Sequence, residues 1–359
     1  MLILHAYSPS NSGDGLLVDL AIDLVRRVSP NATYLVVASD AAGFDDPRYL
    51  QWTSPLPLPR ALRRVAMALT GVLGPTRGIR RAAAEADLIV AVGGAYLRGG
   101  GAVESFKSWG AHHGQVRLAA RHGAKSVYLP QSIGPYGASY GRRTRELLSR
   151  MRRVYVRDDR TASDLSELPN IDRVPDMAIL EWARNDRQPL DGELGRPVFV
   201  ARNLGEPRRY YELLAEVRDS GAFDWAVQAT GSSNNDAPVT ARYGGPDAPL
   251  LSTVLATRSP RIVVSTRLHG SLSSLIAGYP TIHLSYERKG YSAFADLGIP
   301  DFAISARDAT VEQIDALMQR IIDDPEAYWA AIDAKRTEIS AAERRIEADA
   351  AAVLAAGSR

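Results

Sequence analysis

The feature that most constrains the fold is the alternation of short apolar, β-branched runs with segments of helical periodicity. Such runs are typical of buried strands, and the alternation is typical of βαβ units. In the first half of the chain, the predicted strands are 2–5, 34–38, 88–92, 126–129 and 154–156. In the second half, they are 198–201, 225–229, 262–265 and 281–284. The pattern predicts parallel sheets covered by helices.

The length of 359 residues favours two domains, because a single core rarely grows that large. A polar stretch rich in chain breakers at 184–196 reads as a linker. We therefore predict one Rossmann-like domain at 1–183 and a second at 197–325, facing a cleft. A helical C-terminal tail at 326–359 follows an interruption near Asp324-Pro325.

The composition excludes several classes of function. The chain has no cysteine, which excludes disulfides, thiolate catalysis and cysteine-type zinc sites, and we expect no metal site. A net charge of +2 gives no argument for nucleic acid as a partner. No apolar run reaches the ~18 residues of a membrane span, and the start of the chain lacks a basic leader region. We expect a cytoplasmic protein.

The segment 60–84 carries six arginines and no acidic residue. One interpretation is a solvated basic helix. The alternative is that residues 60–81 contact anionic lipid or a charged, lipid-linked acceptor, which would place the protein at the inner face of the membrane.

Small and polar residues follow the predicted strands of the first half. In an open α/β sheet, ligands bind beyond the carboxyl ends of the strands, so these positions are candidates for a site. Glycines there allow a ligand to approach the backbone, although each position also has a simpler interpretation as a turn, a helix cap or an ion pair. The candidates are Asn11, Gly13, Asp14, Gly93, Gly94, Gln131, Ser132 and Arg157.

In the second half, the residues after the predicted strands are cationic. Arg202 follows 198–201, Arg267 and His269 follow 262–265, and Lys289 lies beyond 281–284. Arginine binds carboxylate or phosphate through a planar fork, lysine adds a point charge, and histidine can carry a proton near neutral pH. Together they predict a site for a small, highly charged anion.

The order of short motifs along the chain resembles that of the polysaccharide pyruvyl transferase family. The motifs are N-S-G-D-G, V-G-G-A-Y-L, P-Q-S-I-G-P, V-R-D-D-R-T-A-S-D-L, V-P-D-M-A, V-A-R-N, S-T-R-L-H-G and S-Y-E-R-K-G. The resemblance implies a fold similar to GT-B glycosyltransferases. It also implies phosphoenolpyruvate as co-substrate, with no further cofactor, and a saccharide or lipid-linked saccharide as acceptor. The implied products are a pyruvate ketal and phosphate.

The resemblance also implies roles for residues. The expected donor-binding residues are Arg267, Lys289, Arg157, Arg202, Leu268 and Ser271. The expected acceptor-binding residues are Asn11, Gly13, Gly93, Gly94, Gln131 and Ser132. We expect His269 to protonate the methylene carbon of the donor and Asp14 to take the proton of the attacking hydroxyl.

Two other functions remain open at this point. A GT-B glycosyltransferase would use the same cations to bind the diphosphate of a nucleotide sugar. A non-catalytic protein of the same fold would bind a sugar or an anion without reaction.

Overall fold

The structure is a computed structural model that describes residues 1–52, 75–99, 108–136, 138–190, 192–231 and 235–357. Internal contacts divide the chain into two units. The first unit comprises Met1–Pro9, Asp14–Met177 and Ala342–Arg359, and the second comprises Ser10–Gly13 and Ala178–Ala341. The second unit therefore includes a short piece of the chain's beginning.

The first unit contains one parallel sheet of eight strands among the described residues, in the order β3-β2-β1-β4-β6-β7-β8, with β5 paired to β6. The strands are β1 Leu2–Ala6, β2 Leu35–Ala38, β3 Tyr49–Gln51, β4 Ile89–Ala91, β5 Gly94–Gly99, β6 Ser126–Tyr136, β7 Arg153–Val156 and β8 Ile171–Arg173. The strand order reverses between β1 and β4. Ligands bind at such a reversal in doubly wound sheets.

Helices cover this sheet. They are α1 Ser12–Val28, α2 Arg77–Glu85, α3 Gly114–Arg121, α4 Ala138–Leu148 and α5 Asp159–Asp164. The next helix, α6 Met177–Arg184, belongs to the second unit from Ala178 on. A π-helical turn, Trp109–His113, precedes α3. The core under the helices consists mainly of β-branched and leucine side chains with no exposed surface, such as Leu2, Leu4, Ile89 and Val154.

In the described part of the second unit, five strands form a parallel sheet in the order β10-β9-β11-β12-β13. Its strands are β9 Val198–Val200, β10 Asp224–Trp225, β11 Val263–Ser265, β12 Thr281–Ser285 and β13 Ala303–Ser305. Its helices are α7 Arg208–Ser220, α8 Ala237–Gly244, α9 Leu251–Ala256, α10 Leu268–Ile276, α11 Arg288–Asp296, α12 Val311–Asp323 and α13 Pro325–Asp333. Here the strand order reverses between β9 and β11.

The strands predicted from the sequence are confirmed, with differences in length. The strand predicted at 225–229 is shorter, because Val227 and Ala229 form bridges with Leu250 and Asn11 instead of continuing the pairing with β9. The strand predicted at 126–129 continues to Tyr136, where it pairs with β5. The sequence did not predict β3, β5, β8 and β13.

The predicted interruption of the C-terminal helices is confirmed, because α12 ends at Asp323 and α13 begins at Pro325. The side chain of Asp324 accepts a hydrogen bond from the backbone amide of Ala327, which caps the new helix. The last helix, α14 (Arg336–Gly357), carries Glu343 and Glu347, which bind Arg27 at 2.9 and 2.7 Å.

The arginine-rich segment lies mostly outside the described residues, which resume at Pro75. Its last part forms α2, with Ile79 and Ala83 buried. Among the helices that the structure describes, none combines the length and apolar character required to cross a bilayer.

Candidate functional site

Three adjacent strands of the second unit deliver cationic residues to one edge of the sheet. β9 and β12 both pair with β11 in parallel, so their carboxyl ends lie at the same edge. Arg202 follows β9, Arg267 follows β11, and Lys289 follows β12. This edge includes the reversal of strand order, where ligands bind in sheets of this type.

Arg267 forms a buried ion pair with Asp236. Nε of Arg267 donates to one carboxylate oxygen at 2.7 Å, and Nη2 donates to the other at 2.6 Å. The side chains are 9% and 1% exposed. Burial raises the pKa of the Asp236 carboxyl, and the neighbouring Arg267 and Arg202 oppose this shift. The guanidinium is therefore held in one orientation by two charge-assisted hydrogen bonds.

The other two cations also have partners. Arg202 donates to the hydroxyl of Tyr286, and its guanidinium lies 4.7 Å from the centre of that ring. Nζ of Lys289 lies 2.9 Å from a carboxylate oxygen of Glu287. Because β12 ends at Ser285, both Tyr286 and Glu287 lie in the short connection to α11.

His269 is half-buried in the first turn of α10 and packs against Gly13, in the segment Ser10–Gly13 of the second unit. A Cβ atom at Gly13 would lie 2.8 Å from Nδ1 of His269, so only glycine leaves room for the ring. The side chain of Ser12 donates to the carbonyl of Gln228 and accepts from Nε2 of the same residue, both at 2.6 Å. These contacts anchor the segment on the second unit.

A second histidine, His283, lies below this edge in β12. Its Nδ1 is 3.0 Å from both the carbonyl of Ser265 and the hydroxyl of Ser271. Burial lowers the pKa of His283 to about 4, so the ring is neutral near pH 7. Ser271 and Leu268, both expected near the donor, are buried in α10.

At the edge of the first unit's sheet, Arg157 follows β7 and forms a second buried ion pair. It donates through Nη1 to Asp176 and through Nε to the hydroxyl of Ser132 at 3.2 Å. The two charged side chains are 3% and 2% exposed. Gln131 is fully buried, and neither atom of its amide has a hydrogen-bond partner among the residues described.

The two glycines after β4 lie beside Gln131. A Cβ at Gly93 would lie 2.5 Å from the carbonyl oxygen of Pro130, and Gly94 has a φ of +148° that favours glycine. Gly94 pairs with Gln131 between β5 and β6. Two glycines that the local packing and backbone conformation favour therefore lie next to an unsatisfied amide.

A buried cluster of rings lies at the end of β1. Nδ1 of His5 is 3.2 Å from Nδ1 of His112, and its Nε2 is 2.9 Å from the hydroxyl of Tyr128. His5 also stacks on Tyr96 at 4.5 Å and has a φ of +69°, a strained value for a residue with a side chain. Burial lowers the pKa of His5 well below its ordinary value and that of His112 to about 4.

The structure thus brings Arg202, Arg267 and Lys289, three of the predicted donor residues, to one edge of the second unit. Arg157 belongs to the first unit, as does Asp14 in the first turn of α1. Sequence reasoning missed Asp236 and Asp176, although Asp176 lies in the quoted V-P-D-M-A motif. Among the described residues, no cluster of His, Asp and Glu could hold a metal ion.

The arrangement of two parallel α/β sheets defines a protein of the GT-B fold class. The structure superposes on a variant of Os79 from O. sativa in complex with UDP, with a TM-score of 0.56, 12% identity and coverage of 98% of this chain and 100% of that chain. It also matches UDP-GlcNAc 2-epimerase from Neisseria meningitidis, with a TM-score of 0.52, 11% identity and coverage of 97% and 99%. The glycotransferase of kitacinnamycin gives a TM-score of 0.50, 16% identity and coverage of 98% and 97%. At these identities the similarity shows the fold alone.

The chain belongs to the polysaccharide pyruvyl transferase family, whose profile matches residues 11–288. The match includes all the cationic residues described above except Lys289, which lies one position beyond it. A comparison with curated proteins gives no match.

Proposed function

We propose that the protein transfers the pyruvyl group of phosphoenolpyruvate to a pair of hydroxyls on a saccharide, forming a ketal and releasing phosphate. The observation that carries this proposal is the edge where Arg202, Arg267 and Lys289 follow three adjacent strands. Phosphoenolpyruvate combines a carboxylate and a phosphate. Such a ligand matches guanidinium forks placed beside an ammonium group.

In the proposed reaction, His269 donates a proton to the methylene carbon, and positive charge develops on the adjacent carbon. The first acceptor hydroxyl forms a C–O bond to that carbon, and its proton goes to a base, for which Asp14 is the residue expected from the sequence. The second hydroxyl then attacks as the bond to the phosphate oxygen breaks. Phosphate leaves with the bonding electron pair and takes up the second hydroxyl proton. No electrons are exchanged with another molecule, so the proposal includes no cofactor.

The uncharged residues at the edge of the first unit's sheet suit an uncharged ligand better than an anion. The buried amide of Gln131 has two N–H donors and a carbonyl acceptor, and saccharide hydroxyls can both accept and donate hydrogen bonds. Gly93 and Gly94 lie next to it, and Gly94 pairs with Gln131. We therefore assign the acceptor to Gln131, Ser132 and these glycines, and keep Arg157 as an additional donor contact.

The test is incubation of the purified protein with phosphoenolpyruvate and a panel of β-linked galactosides, mannosides and glucosides. We expect phosphate release only when donor and acceptor are both present, with the pyruvyl group found on the sugar by mass spectrometry. Thermal stabilisation by UDP but not by phosphoenolpyruvate would favour a nucleotide-sugar glycosyltransferase. Sugar binding with no phosphate release would favour a non-catalytic protein.

The arginine-rich segment 60–81 remains a proposed contact for anionic lipid or a lipid-linked acceptor. Co-sedimentation with anionic and neutral liposomes at low salt tests it. Binding to the anionic liposomes alone would support the contact, and binding to neither would leave only the solvated helix.

A further inference from the structure

Asp236, the aspartate that holds Arg267, does not make the hydrogen bonds expected from its position at the start of a helix. Asp236 is the N-cap of α8, a position where aspartate usually accepts hydrogen bonds from the first turn. Here its side chain makes no such cap, and both carboxylate oxygens face Arg267 instead. The carboxylate therefore binds the arginine and does not cap the helix that begins after this residue.

Asp236 also ties together the loops that follow three strands. Its backbone amide donates to the carbonyl of Ala229, beyond β10. The backbone amide of Asn203, beyond β9, hydrogen-bonds to its carboxylate. Arg267, beyond β11, donates two further hydrogen bonds to the carboxylate. One buried side chain thus fixes the positions of the loops that carry Arg202 and Arg267.

We propose that Asp236 is a positioning residue for the anionic donor, which it serves by fixing the guanidinium of Arg267 through their bidentate ion pair. This inference rests on the proposed function, because it concerns the same donor. The pair has no net charge, so Arg267 contributes oriented N–H donors. The attraction for an anion then depends more on Arg202, which donates to the hydroxyl of Tyr286, than on Lys289, which is paired with Glu287.

The sign of the effect of Asp236→Asn separates positioning from simple electrostatics. Removing a negative charge next to an anion site strengthens anion binding if only charge matters. If Asp236 positions Arg267, the same substitution weakens binding, because an amide has one acceptor oxygen and the guanidinium loses one of its two fixed hydrogen bonds and the charge that strengthens the other. We expect the KM for phosphoenolpyruvate and the dissociation constant for inorganic phosphate each to rise about tenfold. The KM for the saccharide should not change.

A double-mutant cycle with Arg267→Gln shows whether Asp236 acts through the arginine. We expect the double variant to bind no more weakly than Arg267→Gln alone, and Asp236→Glu to recover part of the loss. Asp236→Ser keeps a good N-cap residue, and it replaces Asp236→Asn in the cycle if that variant does not fold. Asp224→Asn is the matched control, because it breaks a different Arg–Asp pair of the same unit, with Arg261.

Unchanged or tighter binding in Asp236→Asn, or losses that multiply in the double variant, would overturn the inference. Wild-type turnover of phosphoenolpyruvate tests the proposed function separately. The titrations with inorganic phosphate judge the role of Asp236 whether or not turnover is found.

Discussion

At the carboxyl edge of each sheet, an arginine is held in a buried ion pair, but the residues around the two pairs differ. In each unit, an arginine that follows a strand is bound by a buried aspartate from another loop, Arg157 by Asp176 and Arg267 by Asp236. Arg157 also donates to the hydroxyl of Ser132, and the buried amide of Gln131 lies on the neighbouring strand β6. Around Arg267 lie further cations and His269. A buried ion pair by itself therefore does not indicate an anion site, and the surrounding residues decide its role.

The largest expected effect is on catalysis at the second edge. His269→Ala should lower turnover by about 10²- to 10⁴-fold, because general acid catalysis contributes that much. Steady-state phosphate release measures it, with His122→Ala as the control for loss of a histidine elsewhere. Turnover within tenfold of the wild type would show that His269 is not the proton donor. The second edge would then, like the first, lack an identified general acid.

The next effect is on stability at the first edge. Asp176→Asn should lower the free energy of unfolding by about 3–5 kcal/mol, because it leaves the buried charge of Arg157 without its carboxylate. Urea unfolding gives this value. The control is Asp301→Asn, which breaks an exposed pair with Arg320 and should cost less than about 1 kcal/mol. Equal losses in the two variants would contradict the buried, structural character of the first pair.

The second edge should also respond to acid through His283. Its pKa is lowered to about 4 in the folded protein, whereas the unfolded chain binds a proton near the ordinary value of 6.5. Stability from this residue is therefore complete above pH 6.5, falls by about 3 kcal/mol as the pH drops to 4, and changes no further below. Urea unfolding between pH 4 and 7 should show a smaller pH dependence for His283→Asn. If the free energy of unfolding of the two proteins depended equally on pH, His283 would bind its proton equally well in the folded and unfolded chains.

The smallest expected effect tests whether Gln131, at the first edge, binds the saccharide acceptor. Gln131→Met removes an unsatisfied buried amide, so the free energy of unfolding should rise by about 1 kcal/mol while the KM for the saccharide increases. Calorimetry and steady-state kinetics measure the two quantities. Gln319→Met, at an exposed position, should change neither. Improved stability with an unchanged KM would leave Gln131 without a role in acceptor binding.

Much of the fold could be predicted because its central strands are continuous apolar runs. β1, β4, β9 and β11 are buried along their whole length, which makes the pattern visible in the sequence. The missed strands β3 and β8 have three residues each, are only half-buried, and carry polar side chains. Their pairing depends on a neighbouring strand, which no local pattern reveals.

The sequence predicts the cationic residues of the candidate site, but it does not predict the residues that bind them. Arg202, Arg267 and Lys289 each follow a strand, so the rule for parallel sheets finds them. Asp236 lies 31 residues before Arg267, and its contact depends on how two loops meet at the sheet edge. The strained backbone of His5 and the packing of His269 on Gly13 likewise require coordinates.

The segment Ser10–Gly13 has a practical consequence for anyone who exchanges parts between related proteins. A chimera cut only at residues 177 and 341 would leave this segment behind with the first unit's sequence. The transplanted part would then lose the native Ser12 that bonds Gln228 and the glycine that makes room for His269. A recombination scheme has to carry these four residues along with the later half of the gene.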